Sequence, residues 1–539
     1  MNKFKTITTY SILAVVTLVA MLVVHKLETR MDDIVETEQL RFTGTVSDAP
    51  PAVAFTSMAL GSFRGIIADI LWLRSEMLKS KKRYFEMVQL ARWIVDLQPT
   101  FSGATAYLAW NMSYNISVTC SDFADRWRWV NEAIKLVRDK ALDYNPEDPE
   151  LYRELAWTYF HKLGNILDDA NLYYKNRLAV EMYSILATNN PDWKKLASAP
   201  ATLREFEKKY PQDHLFWNAM KSAGYETYEE FYKAYKSGNP VQLPKKFLEA
   251  LGNNEQLKAD LDNYFRAQLL RDVLKLDPRR IVRQHEKYGA MDWRTPEAHA
   301  IYWAELGVEK SPRGEDLKCA RIITQALYEA FRSGRLLMID DKNMENIQVI
   351  PNLDLVDSVY KTFWDTQKIY DPDSGAYSTF RSARINFMKE AVTILYNYGR
   401  FKKAEEYYQK LVAEDGKKPP LEQFVVAEWS DRVKNASVKR ASEIVSGLIF
   451  RSINYMLYND MDAAIAQERM ARTVYKNYMK EFGDSERTKL PPYNRMKREV
   501  VNACILNLPP QLANIIKAKI EAEQSEVRLE NQFLKNNNK

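Results

Sequence analysis

Apolar residues dominate the start of the chain in one uncharged run, Thr6–Val24. As a helix, this run is about 28 Å long, close to the hydrocarbon thickness of a bilayer. The run lacks the polar face of a globular helix, and the HKLETRMDD that follows has no small-x-small signal for cleavage. We therefore predict an uncleaved transmembrane anchor, rather than a removed secretory signal or a buried helix.

The charges that flank the run predict its orientation. Lys3 and Lys5 precede it, whereas Lys26 and Arg30 follow it among acidic residues, which count little in the positive-inside rule. A short tail ahead of a single anchor favours a cytoplasmic N terminus. The membrane is thus crossed once, with the large domain outside the cytoplasm. Three cysteines are few for an exported eukaryotic protein of this size, so the predicted location is the inner membrane of a bacterial envelope, with the large domain on the periplasmic side.

A second apolar segment follows a polar linker that Pro50 and Pro51 interrupt. This segment, AFTSMALGSFRGIIADILWLRSEML, contains Arg64 and Asp69, and a second membrane span would bury both charges at high cost. We expect an amphipathic helix here, packed on the domain or lying on the membrane surface.

From about residue 60 onward, the apolar residues have helical spacing. They recur every three and four positions, in segments separated by short breaks such as LQPTFSG and YNPEDPE. Glycine is scarce, at 17 residues, and alternating Val, Ile and Thr are few, which disfavours a large β structure. The predicted fold class is all-α.

A two-helix motif recurs within these segments. Its first helix carries a large residue, then Leu-Ala or Leu-Gly, then another large residue, and its second helix carries small residues that let the pair approach closely. A second helix of this kind contains Tyr84, Met87, Ala91 and Ile94. First helices contain Thr105, Leu108, Ala109 and Met112, and then Pro149, Tyr152, Leu155, Ala156 and Tyr159. The segment NYGRFKKAEEYYQKL is a near-complete later unit.

On these residues the chain resembles tetratricopeptide-repeat (TPR) proteins over residues 70–185 and 380–480. Its period differs from theirs, because Pro99 and Pro146, like Leu108 and Leu155, are 47 residues apart, against about 34 in that repeat. The resemblance implies a divergent TPR-like helical solenoid behind one N-terminal transmembrane helix.

The predicted organisation has six regions. They are a cytoplasmic tail and anchor (1–25), a juxtamembrane helix and linker (26–55), TPR-like repeats (56–185), an irregular helical middle (186–380), a second TPR-like region (381–520) and a polar tail (521–539).

The resemblance also implies that certain first-helix positions face a concave groove. Trp110 and Trp157 fall at the same repeat position, and aromatic and Arg side chains are typical binding anchors. Packing of these tryptophans between neighbouring units is the alternative, and aromatic lining also suits glycans. The predicted partner-binding residues are Tyr107, Trp110, Tyr114, Arg153, Trp157, His161, Lys389 and Tyr396.

The densest cluster of reactive residue types is DWRTPEAH, Asp292–His299. Glu297 and His299 are candidates for an acid–base pair, but a spacing of two residues places them on different faces of a helix. A helix start, with Thr295 as the cap and Pro296 in the first turn, explains the same residues without chemistry.

Neither a metal nor a cofactor is predicted. The five histidines form no HxxxH or HExxH motif, the three cysteines are far apart, and the phosphate-loop and nucleophile-elbow motifs are absent. The net charge of +6 is small for 539 residues, with both signs interleaved, which argues against a nucleic-acid partner.

These patterns favour binding over catalysis. We expect a membrane-anchored helical-repeat protein that holds a partner protein or peptide at the cell envelope as a scaffold, with no small-molecule substrate. The alternative is an envelope enzyme that acts on a glycan or lipid-linked substrate through residues 286–303.

Overall fold

The computed structural model describes most of the chain after residue 62. The described residues are Val19, Val23, Lys26, Leu27, Arg30 and ranges 63–98, 101–165, 168–188, 190–238, 241–312, 314, 316–338, 347–433, 438–483, 489–508 and 511–522. The predicted anchor Thr6–Val24, apart from two valines, lies outside them, as do most of the juxtamembrane region and the tail beyond residue 522. Among the described helices, none has both the length and the apolar character that crossing a bilayer requires.

The chain divides into two compact units, Met1–Thr362 and Phe363–Lys539. Both consist of helices, so the all-α prediction is confirmed for the described residues. Within the described ranges, the exception is a pair of antiparallel strands, β1 (Arg335–Met338) and β2 (Ile347–Ile350), in which Arg335 pairs with Ile350.

The first unit begins with helices joined by short turns. These are α1 (Phe63–Ser80), α2 (Tyr84–Leu97), α3 (Ser102–Trp110), α4 (Phe123–Lys135), α5 (Pro149–Trp157) and α6 (Asn171–Leu186). α1 and α2 pack together as a hairpin. Helices α3, α4 and α5 continue into wider π-helical segments, at Asn111–Ile116, Leu136–Ala141 and Thr158–Leu163, and α4 ends with a further turn, Leu142–Tyr144.

The 47-residue offset seen in the sequence recurs in the backbone. α3 and α5 begin 47 residues apart and end 47 residues apart, and so do the π-helical segments that follow them. The start of α5 is set locally, since Pro149 opens the helix and the Asp148 carboxylate accepts a 2.8 Å hydrogen bond from the Glu150 amide.

The middle of the first unit has an aromatic core. Its helices are α7 (Trp193–Ser198), α8 (Leu203–Lys209), α9 (Leu215–Ser222), α10 (Tyr228–Lys236), α11 (Lys245–Ala250), α12 (Glu255–Val273) and α13 (Pro278–Tyr288). Five phenylalanines with no exposed surface, Phe206, Phe216, Phe231, Phe247 and Phe265, contact one another there. This burial stabilises a set of short helices that would be marginal alone.

The last helices of the first unit return to α5. α14 (Pro296–Lys310) packs against α15 (Leu317–Ser333) and also along α5. It is antiparallel to α5, because Gly307 near its end lies against Tyr152 and Pro149, whereas His299 near its start stacks on Tyr159. The main packing partner of α5 is therefore distant in sequence, which departs from the consecutive pairing that a tetratricopeptide repeat implies.

The second unit consists of helical hairpins. After α16 (Val356–Ile369), its helices are α17 (Gly375–Asn397), α18 (Phe401–Asp415), α19 (Leu421–Val433), α20 (Val438–Leu457), α21 (Met461–Phe482) and α22 (Tyr493–Asn507), and residues 511–522 are also helical. α17 pairs with α18, and α20 pairs with α21. The α17–α18 turn uses Gly399 at φ +73°, a conformation that glycine adopts without strain.

Candidate functional site

Four of the predicted partner-binding side chains form one continuous contact on α3 and α5. Trp110 stacks on Tyr114 with ring centroids 5.7 Å apart, and Tyr114 in turn contacts His161 at 5.7 Å. His161 stacks nearly parallel on Trp157 at 4.6 Å. We call Trp110, Tyr114, His161 and Trp157 the aromatic row.

The repeat offset explains why these rings meet. Trp110 and Trp157 end α3 and α5 at equivalent positions, and Tyr114 and His161 occupy equivalent positions in the π-helical segments that follow. Since α3 and α5 lie side by side, each contributes two rings to the row. A π-helical turn changes the direction of the side chains that follow it, and such turns are frequent at functional sites.

The row remains accessible along its length. The Trp110 side chain is 38% exposed, and the other three are partly buried. The Tyr114 hydroxyl lies 3.2 Å from His161 Nδ1, which joins the two helices through a polar contact. Burial lowers the pKa of His161, so the imidazole is neutral at neutral pH.

A carboxyl group lies beside the row. Glu154 on α5 is half-buried, and its Oε1, which is shielded from solvent, has no hydrogen-bond partner among the described residues. Burial raises the pKa of this carboxyl to about 7. Burial also raises the pKa of Tyr114, with smaller contributions from the charges of Glu154 and Asp168.

A buried ion pair supports the row from the other side. The Lys162 ammonium lies 5.4 Å from the centre of the Tyr114 ring and 2.5 Å from the Asp168 carboxylate. Lys162 is only 2% exposed, so an unpaired ammonium there would be costly. Arg126 on α4 contacts both Asp168 and Asp169, which links α4 to the segment between α5 and α6.

Two predicted residues of the first unit lie beside the row without joining it. The Tyr107 hydroxyl accepts a 2.6 Å hydrogen bond from Lys79 and donates to Glu76, so it is held by α1. Arg153 donates to Glu150 at 2.6 Å and lies 3.8 Å from Asp316.

The remaining predicted residues, Lys389 and Tyr396, belong to α17 in the second unit. Lys389 forms a 3.3 Å ion pair with Asp415, and the Tyr396 ring contacts Phe401 edge-on at 5.1 Å. Each of these contacts joins α17 to α18, so both side chains have a role within that hairpin.

The Asp292–His299 cluster is a buried helix start. Glu297 and His299 are 2% and 1% exposed, respectively. Burial lowers the pKa of His299 to about 4, and its Nε2 lies 2.9 Å from the Trp293 carbonyl oxygen. Burial raises the pKa of Glu297, whose Oε1 lies 3.7 Å from the Lys175 ammonium. The two side chains contact different neighbours, so they do not form a pair.

The proposed cap of α14 differs in detail from the prediction. Pro296 opens the helix as expected, and Thr295 precedes it. However, the Thr295 hydroxyl donates to the Asp292 carbonyl at 2.8 Å instead of accepting from the helix. The turn before α14 is therefore stabilised through Asp292, whose carboxylate also accepts from the Arg294 side chain.

Sequence analysis missed Glu154, Lys162, Asp168 and Arg126. Glu154 and Lys162 sit on the same helical segments as the rings, but a charged residue on a helix is ordinarily solvated. The environment of Lys162 depends on Asp168 and on Tyr174 of α6, which the local pattern does not reveal. Within the described ranges, no three His, Cys, Asp or Glu side chains converge as metal ligands.

Comparison of the chain with protein-family models, with curated proteins and with solved structures gave no match.

Proposed function

We propose that this chain is a membrane-anchored helical-repeat protein that binds a partner protein or peptide segment at the cell envelope. The anchor is the apolar run Thr6–Val24, and the flanking charges favour a periplasmic location for the folded units. The binding surface in this proposal is the aromatic row, and the array around it is a divergent relative of the tetratricopeptide solenoid.

One observation carries the proposal. Two helices offset by 47 residues each present a tryptophan and a second ring at matching positions, and the four rings form one partly exposed surface. Aromatic rings of this kind bury large areas with little loss of side-chain freedom, and Trp and Tyr are enriched among binding hot spots. A ladder of rings across neighbouring helices suits an extended segment more than a compact small molecule.

The test is recovery of the partner by the full-length protein. The chain is crosslinked in its native membrane and purified, and Trp110→Ala and Trp157→Ala are compared singly and together with wild type. Each variant is expected to lower the affinity for the partner at least about tenfold, since both tryptophans act as anchors. Trp93→Ala is the matched control, because Trp93 is exposed on α2 outside the row.

Two results would contradict the proposal. One is a folded double variant that recovers the partner as well as wild type does. The other is wild-type protein that is purified alone after crosslinking.

The alternative, an enzyme that acts through residues 286–303, is not supported by a specific observation. Its two candidate side chains, Glu297 and His299, are buried among helices of the first unit. We therefore develop the binding function.

A further inference from the structure

The outer face of α1 carries an unbroken line of exposed apolar side chains. Ile66, Ile70, Leu73 and Met77 follow one another at spacings of four, three and four, which places them on one side of the helix. Their side chains are 56%, 59%, 65% and 57% exposed, respectively. We call these four residues the α1 stripe.

The packing of α1 within its own hairpin does not account for the stripe. Ala68, Ser75 and Leu78 on the opposite side of the helix are the ones buried toward α2 and α3. Leu71 and Trp72 also pack inward, against the cluster of Ala68, Ile94 and Ala104. α1 therefore has its own buried apolar side, and the stripe is a second apolar side that this packing leaves exposed. The end of a helical array normally needs a polar outer face to stay in solution, so this stripe points to an apolar occupant.

The charges around the stripe indicate what that occupant is. Arg74 and Asp69 lie on α1 at the two edges of the stripe, and Lys81 and Lys82 follow in the turn before α2, all with exposed side chains. A helix with one apolar face and an excess of cations around it matches the boundary between lipid chains and anionic headgroups.

The position of α1 in the chain favours the same occupant. About 40 residues separate the end of the apolar run at Val24 from the start of α1 at Phe63. Even when fully extended, a connection of that length spans no more than about 140 Å, so the anchor tethers α1 within reach of the bilayer.

We propose that α1 lies on the membrane surface, with the α1 stripe inserted among the lipid chains and the cations at its edge against anionic headgroups. This inference rests on the anchor in the proposed function. It adds a second attachment that fixes the orientation of the first unit relative to the bilayer. With two attachments, the aromatic row has a fixed distance from the bilayer and a fixed orientation. A flexible linker alone would fix neither.

The experiment measures the depth of α1 directly. Full-length protein with its three cysteines changed to alanine receives Leu73→Cys, carries an environment-sensitive fluorophore there, and is reconstituted in vesicles of three parts phosphatidylcholine to one part phosphatidylglycerol. Lipids with a quenching group on the acyl chain should reduce the fluorescence about twofold, because the stripe reaches the acyl chains. Arg92→Cys, an exposed position on α2, is the matched control and should be quenched only by iodide in the water.

Two outcomes overturn the proposal. In the first, position 73 is quenched by iodide and not by the lipids. In the second, position 73 is protected only at high protein-to-lipid ratio and crosslinks to the same position of a second copy, which makes a dimer the occupant.

A separate measurement keeps this test apart from the proposed function. Resistance of the reconstituted protein to extraction by alkaline carbonate reports on the anchor, and partner recovery reports on the aromatic row. Loss of either would contradict the proposed function, whereas lipid quenching at position 73 alone decides whether α1 lies in the membrane surface.

Discussion

At the scale of single residues, burial sets the protonation of the groups around the aromatic row. It raises the pKa of Glu154 to about 7 and lowers the pKa of His161. Both shifts favour the neutral form of the side chain, because the charged form loses its hydration. Near neutral pH the His161 imidazole of the row is therefore uncharged and the Glu154 carboxyl is about half ionised, while the Lys162 charge is balanced by Asp168.

The Glu154 shift predicts a pH dependence of stability. A carboxyl whose pKa rises from 4.5 to about 7 on folding binds more protons in the folded state within that interval. The free energy of unfolding therefore falls as pH rises through this interval. Glu154→Gln removes this titration and should raise the free energy of unfolding at about pH 8 by roughly 1–3 kcal/mol, with little gain at about pH 4.

Urea unfolding of the solubilised full-length protein at several pH values measures this effect. Glu207→Gln is the control, since Glu207 lies on α8 with an exposed side chain. A stability difference for Glu154→Gln that stays constant from acid to alkaline pH would show that the carboxyl is not the cause.

At the scale of helices, the contact of α14 with α5 and α15 requires a glycine. A Cβ added at Gly307 would lie 2.8 Å from the Cys319 sulfur on α15 and 3.4 Å from the Tyr152 Cβ on α5. The first distance is shorter than van der Waals contact, so either the helices separate or the cysteine moves. Gly307 thus permits three helices to approach at one point.

We expect Gly307→Ala to lower the free energy of unfolding by roughly 1–3 kcal/mol through overpacking. Adding Cys319→Ala removes the nearest atom and should recover a large part of the loss. Gly447→Ala in α20 is the matched control, because nothing lies within 4 Å of its added Cβ. That change should stabilise the protein by roughly 0.5–1 kcal/mol, as is usual for glycine in a helix interior.

Thermal unfolding of wild type, Gly307→Ala, the double variant with Cys319→Ala, and Gly447→Ala measures these differences in stability. If Gly307→Ala is as stable as wild type, or if Cys319→Ala gives no recovery, the close approach of the three helices is not what limits this position.

At the scale of the molecule, the first unit is held together by packing between helices that are distant in the sequence. α14 covers α5 through the ring contacts Tyr152 with Trp303 and Tyr159 with His299, and through an ion pair of Lys310 with Glu147. The helices between them form the aromatic core of α7–α13. The α3–α5 region that carries the aromatic row therefore depends on residues that follow it by more than a hundred positions.

This arrangement predicts how fragments fold. A fragment of residues 56–190 leaves the α14 side of α5 uncovered and should lack a cooperative unfolding transition, because large rings such as Tyr152 and Tyr159 lose their packing. A fragment of residues 56–355 restores α14 and α15 and should unfold cooperatively. Circular dichroism and limited proteolysis distinguish the two, and cooperative unfolding of the shorter fragment would contradict the prediction.

The sequence by itself determined the helices and their register. Apolar spacing of three and four predicted the all-α fold, and Pro149 and Pro296 marked the helix starts at which α5 and α14 begin. The 47-residue offset placed Trp110 and Trp157 at equivalent positions, as the structure does. These features are local, since each depends on neighbouring residues along one helix or on repetition of one pattern.

Only the tertiary structure decided which helices meet and which side chains are buried. The pairing of α5 with α14 and the burial of His299 depend on surfaces brought together from far along the chain. Leu73 stays exposed because the packing of α1 leaves its side of the helix uncovered. Periodicity shows that a helix has an apolar face but does not show what covers that face. Both α5 and α1 have an apolar face. That of α5 is covered by α14, whereas the stripe of α1 is exposed, and we propose that it contacts the membrane surface.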